Sequence, residues 1–159
     1  ESIKEVLEKT PPESILLLEN SAGQQGKIGS LPELRDILSS LPSILASNRL
    51  KVCLDTAHAF EAGYNFTTEQ GLGIWIDEIG KTIGFDKIEL LHLNDSKTPL
   101  GSGRDNHQNI GDGYIGTDGI SRIINHPQLA HLPLILEVPG LEGVGPDKEN
   151  IDRVKSLLK

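Results

Sequence analysis

The sequence predicts an α/β fold in which parallel strands are covered by flanking helices. The first observation is a set of short aliphatic runs that do not alternate with polar residues, at 15–18, 50–54, 88–93 and 134–136. Such runs are typical of strands that are buried on both faces. The second observation is a set of segments of helical character between and after these runs, at 31–47, 69–83, 117–126 and 146–158. The predicted order is a helix followed by four strand-helix units.

The first two units end on acidic residues. Residues 15–18 run into Glu19 and Asn20, and a glycine-rich stretch then leads to Ser30. Ser30 precedes the helical segment directly and is predicted as its N-cap. The second run ends at Asp55.

The last two units follow the same pattern. The third run carries His92 near its end, and a second glycine-rich stretch, 101–116, follows it. Thr117 then stands where an N-cap is expected. The fourth run ends at Glu137. Both glycine-rich stretches are predicted to be loops on the functional face.

Seven side chains are candidate metal ligands because each lies where an apolar run gives way to a polar loop. They are Glu19, Asp55, His58, His92, Asp105, His107 and Glu137. In doubly wound sheets and in barrels, ligands bind at the carboxyl ends of the strands. Four consecutive strands that bring such donors to one edge favour a barrel.

Chain length narrows this prediction. An eight-stranded barrel typically has about 250 residues, whereas this sequence has 159, begins at Glu1 and contains no Met. We therefore expect residues 1–159 to form a single domain, the C-terminal half of a TIM (β/α)8 barrel.

Composition indicates an ordinary globular domain, with 36% hydrophobic and 24% charged residues. No apolar stretch approaches the roughly 18 residues of a membrane span, and no signal segment opens the chain. A cytoplasmic protein without a membrane partner is expected. The single Cys53 is predicted to be a buried apolar residue of its strand.

The net charge of −8 would ordinarily argue against a polyanionic partner, because phosphate binding relies on Lys and Arg. Bound divalent cations would weaken that argument, since they concentrate positive charge where a phosphate must lie. Net charge therefore does not exclude DNA.

Spacing indicates how the donors group. Asp105 and His107 are two residues apart, so in an extended loop both project to the same side and are able to bind one cation together. Asp55 and His58 are three apart and are able to serve neighbouring metals. Oxygen and imidazole donors suit Zn, Mn or Co, and two or more such cations about 3.5–4 Å apart are able to activate water and hold a phosphoryl group.

Five ordered motifs resemble those of endonuclease IV. They are LENSAGQ at 18–24, CLDTAHAFEAGY at 53–64, LHLNDSK at 91–97, the loop 101–107 with NIGDGYIG at 109–116, and LEVPG at 136–140. The resemblance implies strands 5 to 8 of a xylose-isomerase-like TIM barrel. It also implies a monomeric DNA repair enzyme with three zinc ions, or Mn²⁺ as an alternative, that hydrolyses the phosphodiester 5′ to an abasic site in double-stranded DNA.

The resemblance also implies roles for individual residues. Glu19 bridges two metals, and Asp55, His92 and Glu137 complete the shell of one of them. The third metal is bound by His58, Asp105 and His107. Glu19 and Glu137 are implied to be catalytic, and Lys97 and Arg104 to contact DNA.

This chain departs from the family pattern in three ways. Two further metal-binding histidines of the family, carried by earlier strands, are not in this sequence, so the isolated fragment is expected to be inactive. Asn106 stands where the family often has Arg, which removes one phosphate contact. Ala57 stands where Cys is common, with little expected effect on the site.

Alternative interpretations remain open at this stage. Glu19, Asp55, His92 and Glu137 also suit a sugar epimerase or isomerase with one Mn or Co ion, in which two carboxylates move protons. A further alternative is a non-catalytic half-barrel that self-associates through open sheet edges.

Single residues have plainer alternatives as well. Any one strand-end carboxylate is often a helix N-cap or an ion-pair partner. His126 and His131 are predicted to be structural, and Asp95 is expected to orient Lys97 or His92.

Overall fold

The computed structural model describes residues 2–41 and 48–159. The helices within these ranges are α1 (Ser2–Lys9), α2 (Leu31–Ser40), α3 (Thr56–Ala62), α4 (Glu69–Thr82), α5 (Gly116–Ile124) and α6 (Lys148–Leu157). The strands are β1 (Leu16–Glu19), β2 (Leu50–Asp55), β3 (Ile88–His92), β4 (Asp95–Ser96), β5 (His107–Gln108) and β6 (Leu134–Ile135). A short 3₁₀ turn, Phe85–Lys87, leads into β3.

The four predicted strands form one parallel sheet in the order β1-β2-β3-β6. The register pairs Glu19 with Cys53, Asp55 with His92, and His92 with Ile135. Since parallel strands place their carboxyl ends at one edge, the polar residues that end β1, β2 and β3 lie side by side. The prediction of parallel strands with flanking helices is confirmed.

Helix α2 begins where the sequence predicted. Ser30 Oγ accepts a hydrogen bond from the Glu33 backbone N–H, and the Glu33 side chain accepts one from the Ser30 backbone N–H, which is a capping box. The helix ends at Ser40, with Leu41 as its C-cap. The rest of the predicted segment, 42–47, lies outside the described residues.

Helix α3 was not predicted as a separate element. Asp55 is its N-cap, because one carboxylate oxygen accepts the His58 backbone N–H at 2.8 Å. Gly63 ends the helix in the left-handed region, with φ of 119°. The seven-residue helix therefore carries His58 in its first turn.

The prediction that Thr117 caps α5 was wrong. The helix begins at Gly116, its N-cap is Ile115, and no side chain of the cap residue accepts a hydrogen bond. The carboxylate of Asp95 accepts the backbone N–H groups of Ile115 and Gly116 at 3.0–3.3 Å instead. A residue twenty positions away therefore satisfies donors that the sequence assigned to a local cap.

Asp95 also organises the loop before α5. It accepts the backbone N–H groups of Gly111 and Gly113 at 3.0 and 3.1 Å. A Cβ at Gly113 would lie 2.4 Å from Asp95 Oδ1, so the close approach requires glycine there. The described hydrogen bonds give Asp95 this role, and not the expected one of orienting Lys97 or His92.

The core lies between the sheet and the helices α4 and α5. Leu54 and Leu91 of the central strands are fully buried, as are Trp75 of α4 and Ile120 of α5. The Trp75 ring packs against Phe66 with ring centroids 4.9 Å apart. Cys53 is buried as predicted.

A short antiparallel hairpin was also not predicted. Strands β4 and β5 pair Asp95 with Gln108 and Ser96 with His107. The loop between them contains Asp105, which therefore returns to the edge where β3 ends.

Among the described helices, none combines the length and the apolar character that a membrane-spanning helix needs.

We expect Leu54→Ala to lower the free energy of unfolding by about 2–5 kcal/mol, because it removes a fully buried side chain from a close-packed core. Urea unfolding measures the change. The matched control is Leu141→Ala, whose side chain is 57% exposed and whose removal should change stability by no more than about 0.5 kcal/mol. Equal losses in both variants would contradict the described core.

Candidate metal centre

The seven candidate ligands lie at the carboxyl edge of the sheet. Three of them, Glu19, Asp55 and His92, are the last residues of β1, β2 and β3. The other four come from elements that follow a strand: Glu137 after β6, His58 in α3, and Asp105 and His107 in the hairpin loop and β5. The structure brings all seven together.

The first group of ligand atoms belongs to Glu19, Asp55, His92 and Glu137, and these atoms all lie within 4.8 Å of one another. His92 Nδ1 is at the centre, 2.9 Å from Glu19 Oε1, 3.0 Å from Glu137 Oε2 and 4.0 Å from Asp55 Oδ2. Three carboxylates therefore surround one imidazole nitrogen.

The second group surrounds His58 and His107. Asp105 Oδ1 lies 3.0 Å from His58 Nε2 and 3.7 Å from His107 Nε2. Asp55 Oδ2 lies 3.6 Å from His107 Nε2, so Asp55 belongs to both groups. The resemblance assigned Asp55 to the first group alone, and the geometry places it between the two.

The two carboxylate oxygens of Asp55 face different ways. Oδ1 caps α3 through the His58 N–H, whereas Oδ2 accepts a hydrogen bond of 2.6 Å from Asn94 Nδ2 and faces the ligand groups. The side chain is fully buried. The N-cap interpretation and the ligand interpretation of this residue are therefore compatible.

Two asparagines that sequence reasoning did not select position the ligands. The amide of Asn94 donates to Asp55 Oδ2, and its Oδ1 accepts the Glu137 backbone N–H at 2.8 Å. The side chain of Asn20 pairs with the backbone N–H and C=O of Asp55 at 2.7 and 3.1 Å. Each follows a strand directly, or nearly so, which was the available signal.

Backbone carbonyls orient both histidines of the second group. His58 Nδ1 lies 2.8 Å from the Asn20 carbonyl, and His107 Nδ1 lies 3.3 Å from the Glu137 carbonyl. Because a carbonyl only accepts, each Nδ1 donates, and the neutral ring presents the Nε2 lone pair toward the carboxylates. This is the tautomer of a histidine that binds metal through Nε2.

The close contacts among these side chains shift the pKa values of His92, Glu19 and Asp55. Hydrogen bonds with the Cys53 thiol and the Glu19 carboxylate raise the pKa of His92 to about 10, against the effect of burial. Burial favours neutral Glu19, but the hydrogen bond and charge of His92 outweigh it and hold the pKa of Glu19 below its usual value. Burial raises the pKa of Asp55, although His58 and His107 oppose the shift.

The donor set fits a divalent cation. His107 Nε2 is buried and has no hydrogen-bond partner among the described residues. In the neutral tautomer, two acceptors also face each other, since His58 Nε2 is 3.0 Å from Asp105 Oδ1. A cation between such atoms removes both problems, and carboxylate and imidazole donors suit zinc or manganese.

Cys53 lies beneath the first group. Its sulfur belongs to a set with Glu19 and His92 whose ligand atoms lie within 4.8 Å of one another. Burial raises the pKa of the thiol, which favours the protonated form over the thiolate that binds metal. We therefore do not count the Cys53 thiol among the candidate ligands.

The remaining sequence-predicted residues divide into two sets. Lys97 and Arg104 lie on the loop that joins β4 to β5, and both side chains are exposed without a hydrogen bond or ion pair to a described residue. His126 and His131 belong to neither ligand group.

Comparison with known proteins identifies the family of this chain. A family model for the xylose isomerase-like TIM barrel matches residues 1–159. The chain is 47% identical over 141 residues to a probable endonuclease 4 of Halothermothrix orenii, covering 88% of this chain and 50% of that protein. It is 46% identical over 148 residues to a probable endonuclease 4 of Alkaliphilus oremlandii, covering 92% of this chain and 50% of that protein.

A solved structure gives the same result. The crystal structure of endonuclease IV from Thermus thermophilus matches with a TM-score of 0.80 and 33% identity, covering 98% of this chain and 56% of that chain. This chain spans about half the length of the curated relatives it matches. The chain therefore belongs to the xylose isomerase-like TIM-barrel family, within which it is similar to endonuclease IV, as the sequence motifs indicated.

Proposed function

We propose that the complete protein is a metal-dependent phosphodiesterase of DNA repair, which hydrolyses the phosphodiester 5′ to an abasic site in double-stranded DNA in the cytoplasm. The observation that carries this proposal is the pair of adjacent ligand groups that share Asp55. The names of the relatives, probable endonuclease 4 and endonuclease IV, support it independently.

The side chains have distinct roles in this proposal. Glu19, Asp55, His92 and Glu137 would hold one ion, with Glu19 shared by a second, and His58, Asp105 and His107 would hold a third. When bound, zinc or manganese ions would supply the Lewis acidity that activates a water and neutralises charge on the phosphoryl group. Asn94 fixes Asp55 and Glu137 relative to each other before substrate arrives.

The hairpin distinguishes this function from a single-metal sugar epimerase. Such an enzyme uses one carboxylate and imidazole set, and Glu19, Asp55, His92 and Glu137 would be enough for it. The second group, with Asp105 Oδ1 3.0 Å from His58 Nε2, has no role in that chemistry. The geometry therefore supports the phosphodiesterase and favours no second function.

DNA would approach the loop between β4 and β5. Lys97 and Arg104 offer positive charge there, next to Asp105, that no described residue neutralises by an ion pair. The ligand groups lie at the same edge, so bound cations would add to this charge and offset the overall −8 locally. We propose that both side chains contact phosphates.

We also propose that residues 1–159 form one domain that supplies strands 5 to 8 of a monomeric barrel. Two histidines from the preceding strands would complete the shell of the ion that shares Glu19. On this proposal, the isolated fragment lacks part of one metal site and is inactive.

We expect Glu137→Gln to lower cleavage of an abasic-site duplex by several orders of magnitude in the complete protein, because an amide is a weaker metal ligand than a carboxylate. Chelation should abolish cleavage, and zinc should restore it. Glu142→Gln, in the exposed loop that follows, is the matched control and should cleave at the wild-type rate. Near-full activity of Glu137→Gln would reject the assignment.

Metal content provides a second prediction. The complete wild-type protein should carry more than one ion per chain. His107 Nε2 has no hydrogen-bond partner among the described residues, so its lone pair is available to bind a cation. The His107→Ala variant should therefore lose one ion. Native mass spectrometry counts the ions. His131→Ala is the control. One ion per wild-type chain would favour the single-metal epimerase.

Salt dependence tests the DNA contacts. The double variant Lys97→Ala/Arg104→Ala should weaken binding to abasic and undamaged duplexes alike, and should reduce the slope of log K against log salt by about 2, since two phosphate contacts are lost. Fluorescence anisotropy measures both quantities. Lys155→Ala, on the exposed surface of α6, should leave the slope unchanged. An unchanged slope in the double variant would remove both residues from the interface.

A further inference from the structure

A buried carboxylate outside the proposed ligand set lies next to the second ligand group. Glu61 is on α3, one helical turn after His58, and its side chain has no solvent exposure. Fully buried glutamates are rare unless they are paired. No other acidic side chain of α3 is present, and Glu61 interrupts an otherwise apolar segment between Phe60 and Ala62.

All described side-chain hydrogen bonds of Glu61 go to one segment. Its Oε1 accepts from Ser96 Oγ at 2.7 Å, from Thr98 Oγ1 at 2.8 Å and from the Asn106 backbone N–H at 3.3 Å. The Glu61 backbone carbonyl also accepts the Gly103 N–H at 3.0 Å. This segment, residues 96–107, joins β4 to β5 and carries Asp105 and His107.

Ion pairing does not explain why the Glu61 carboxylate is buried. No Lys, Arg or His of the described residues forms an ion pair with Glu61, and its Oε2 has no hydrogen-bond partner there. The bonds to Oε1 are therefore what holds the group in the interior. They connect both ends of the hairpin segment, at Ser96 and at Asn106, to the helix that carries His58.

We propose that Glu61 is a positioning residue for the second ligand group. It fixes segment 96–107 against α3, and so sets the separation between His58 on the helix and the Asp105–His107 pair on the hairpin. This inference rests on the proposed function, because it takes these three residues as ligands of one ion. The role depends on Oε1 as an acceptor for three donors, and not on the charge of Glu61.

The experiment compares Glu61→Ala and Glu61→Gln in the complete protein loaded with zinc, with Glu142→Ala as the control. Native mass spectrometry counts the zinc ions, and a colorimetric chelator measures the rate at which each is released. Circular dichroism and thermal unfolding report the global fold. None of these measurements requires DNA cleavage.

Glu61→Ala should lose one zinc ion, or release its most labile ion about 10–100-fold faster, as is typical when a partner of metal ligands is removed. The remaining ions should leave at the wild-type rate. Glu61→Gln keeps an acceptor oxygen at the same place, so it should retain the full zinc complement. Glu142→Ala should match the wild type.

Three outcomes would overturn the inference: wild-type zinc content and release in Glu61→Ala, equal losses in Glu61→Gln and Glu61→Ala, or equal loss of every zinc ion. Should Glu61→Ala fail to fold, Thr98→Val decides the question. This variant removes one of the three donors and keeps the shape of the side chain. It should speed release of the same ion by a smaller factor, and an unchanged rate would contradict the proposal.

Failure of the proposed function is distinguishable. A wild-type protein that holds the ion lost in His107→Ala, yet leaves abasic DNA uncut, contradicts the function and still allows Glu61 to be judged by zinc release. If the His107→Ala variant holds as many ions as the wild-type protein, both the metal assignment and the Glu61 inference are overturned.

Discussion

The burial of a carboxyl group at the end of β2 is the constraint on which the rest of the site depends. Asp55 is fully buried, and a buried carboxylate is costly unless hydrogen bonds and opposite charge compensate it. One oxygen accepts a hydrogen bond from the backbone of α3, and the other accepts one from the side-chain amide of Asn94. The initiation of α3 and the geometry of the candidate ligands therefore depend on one side chain. A change at Asp55 would disturb both.

Preorganisation by hydrogen bonds recurs around this centre. Asp95 gathers backbone N–H groups from the loop before α5, Asn20 pairs with the backbone of Asp55, and Glu61 holds both ends of the hairpin segment. In each case a buried polar side chain connects segments that are distant in sequence. Such networks hold the candidate ligand side chains in place, and the cost of ordering them is met during folding. The site is therefore built by its surroundings as much as by its ligands.

The parallel sheet brings the candidate ligands to one edge, and it has two edge strands. Among the described residues β1 and β6 each pair with one neighbour only, so both are edge strands. Exposed edges promote association with other strands, and barrels remove edges by closing the sheet. The chain spans about half the length of its curated relatives, and closure in the complete protein would bring further strand ends to the edge that carries Glu19.

Sequence alone determined the parallel α/β class, the four strands and the seven candidate ligands, because buried strands have a local signature and their polar ends interrupt it sharply. It did not determine the cap of α5, the helix that follows Asp55 or the hairpin that returns His107. Those features depend on partners distant in the chain, as Asp95 and the N–H of Gly116 illustrate. The role of Glu61 also had no local signal, since its three donors come together only on folding. Spacing along the chain predicts which residues reach one edge, but only tertiary contacts decide which atoms face one another there.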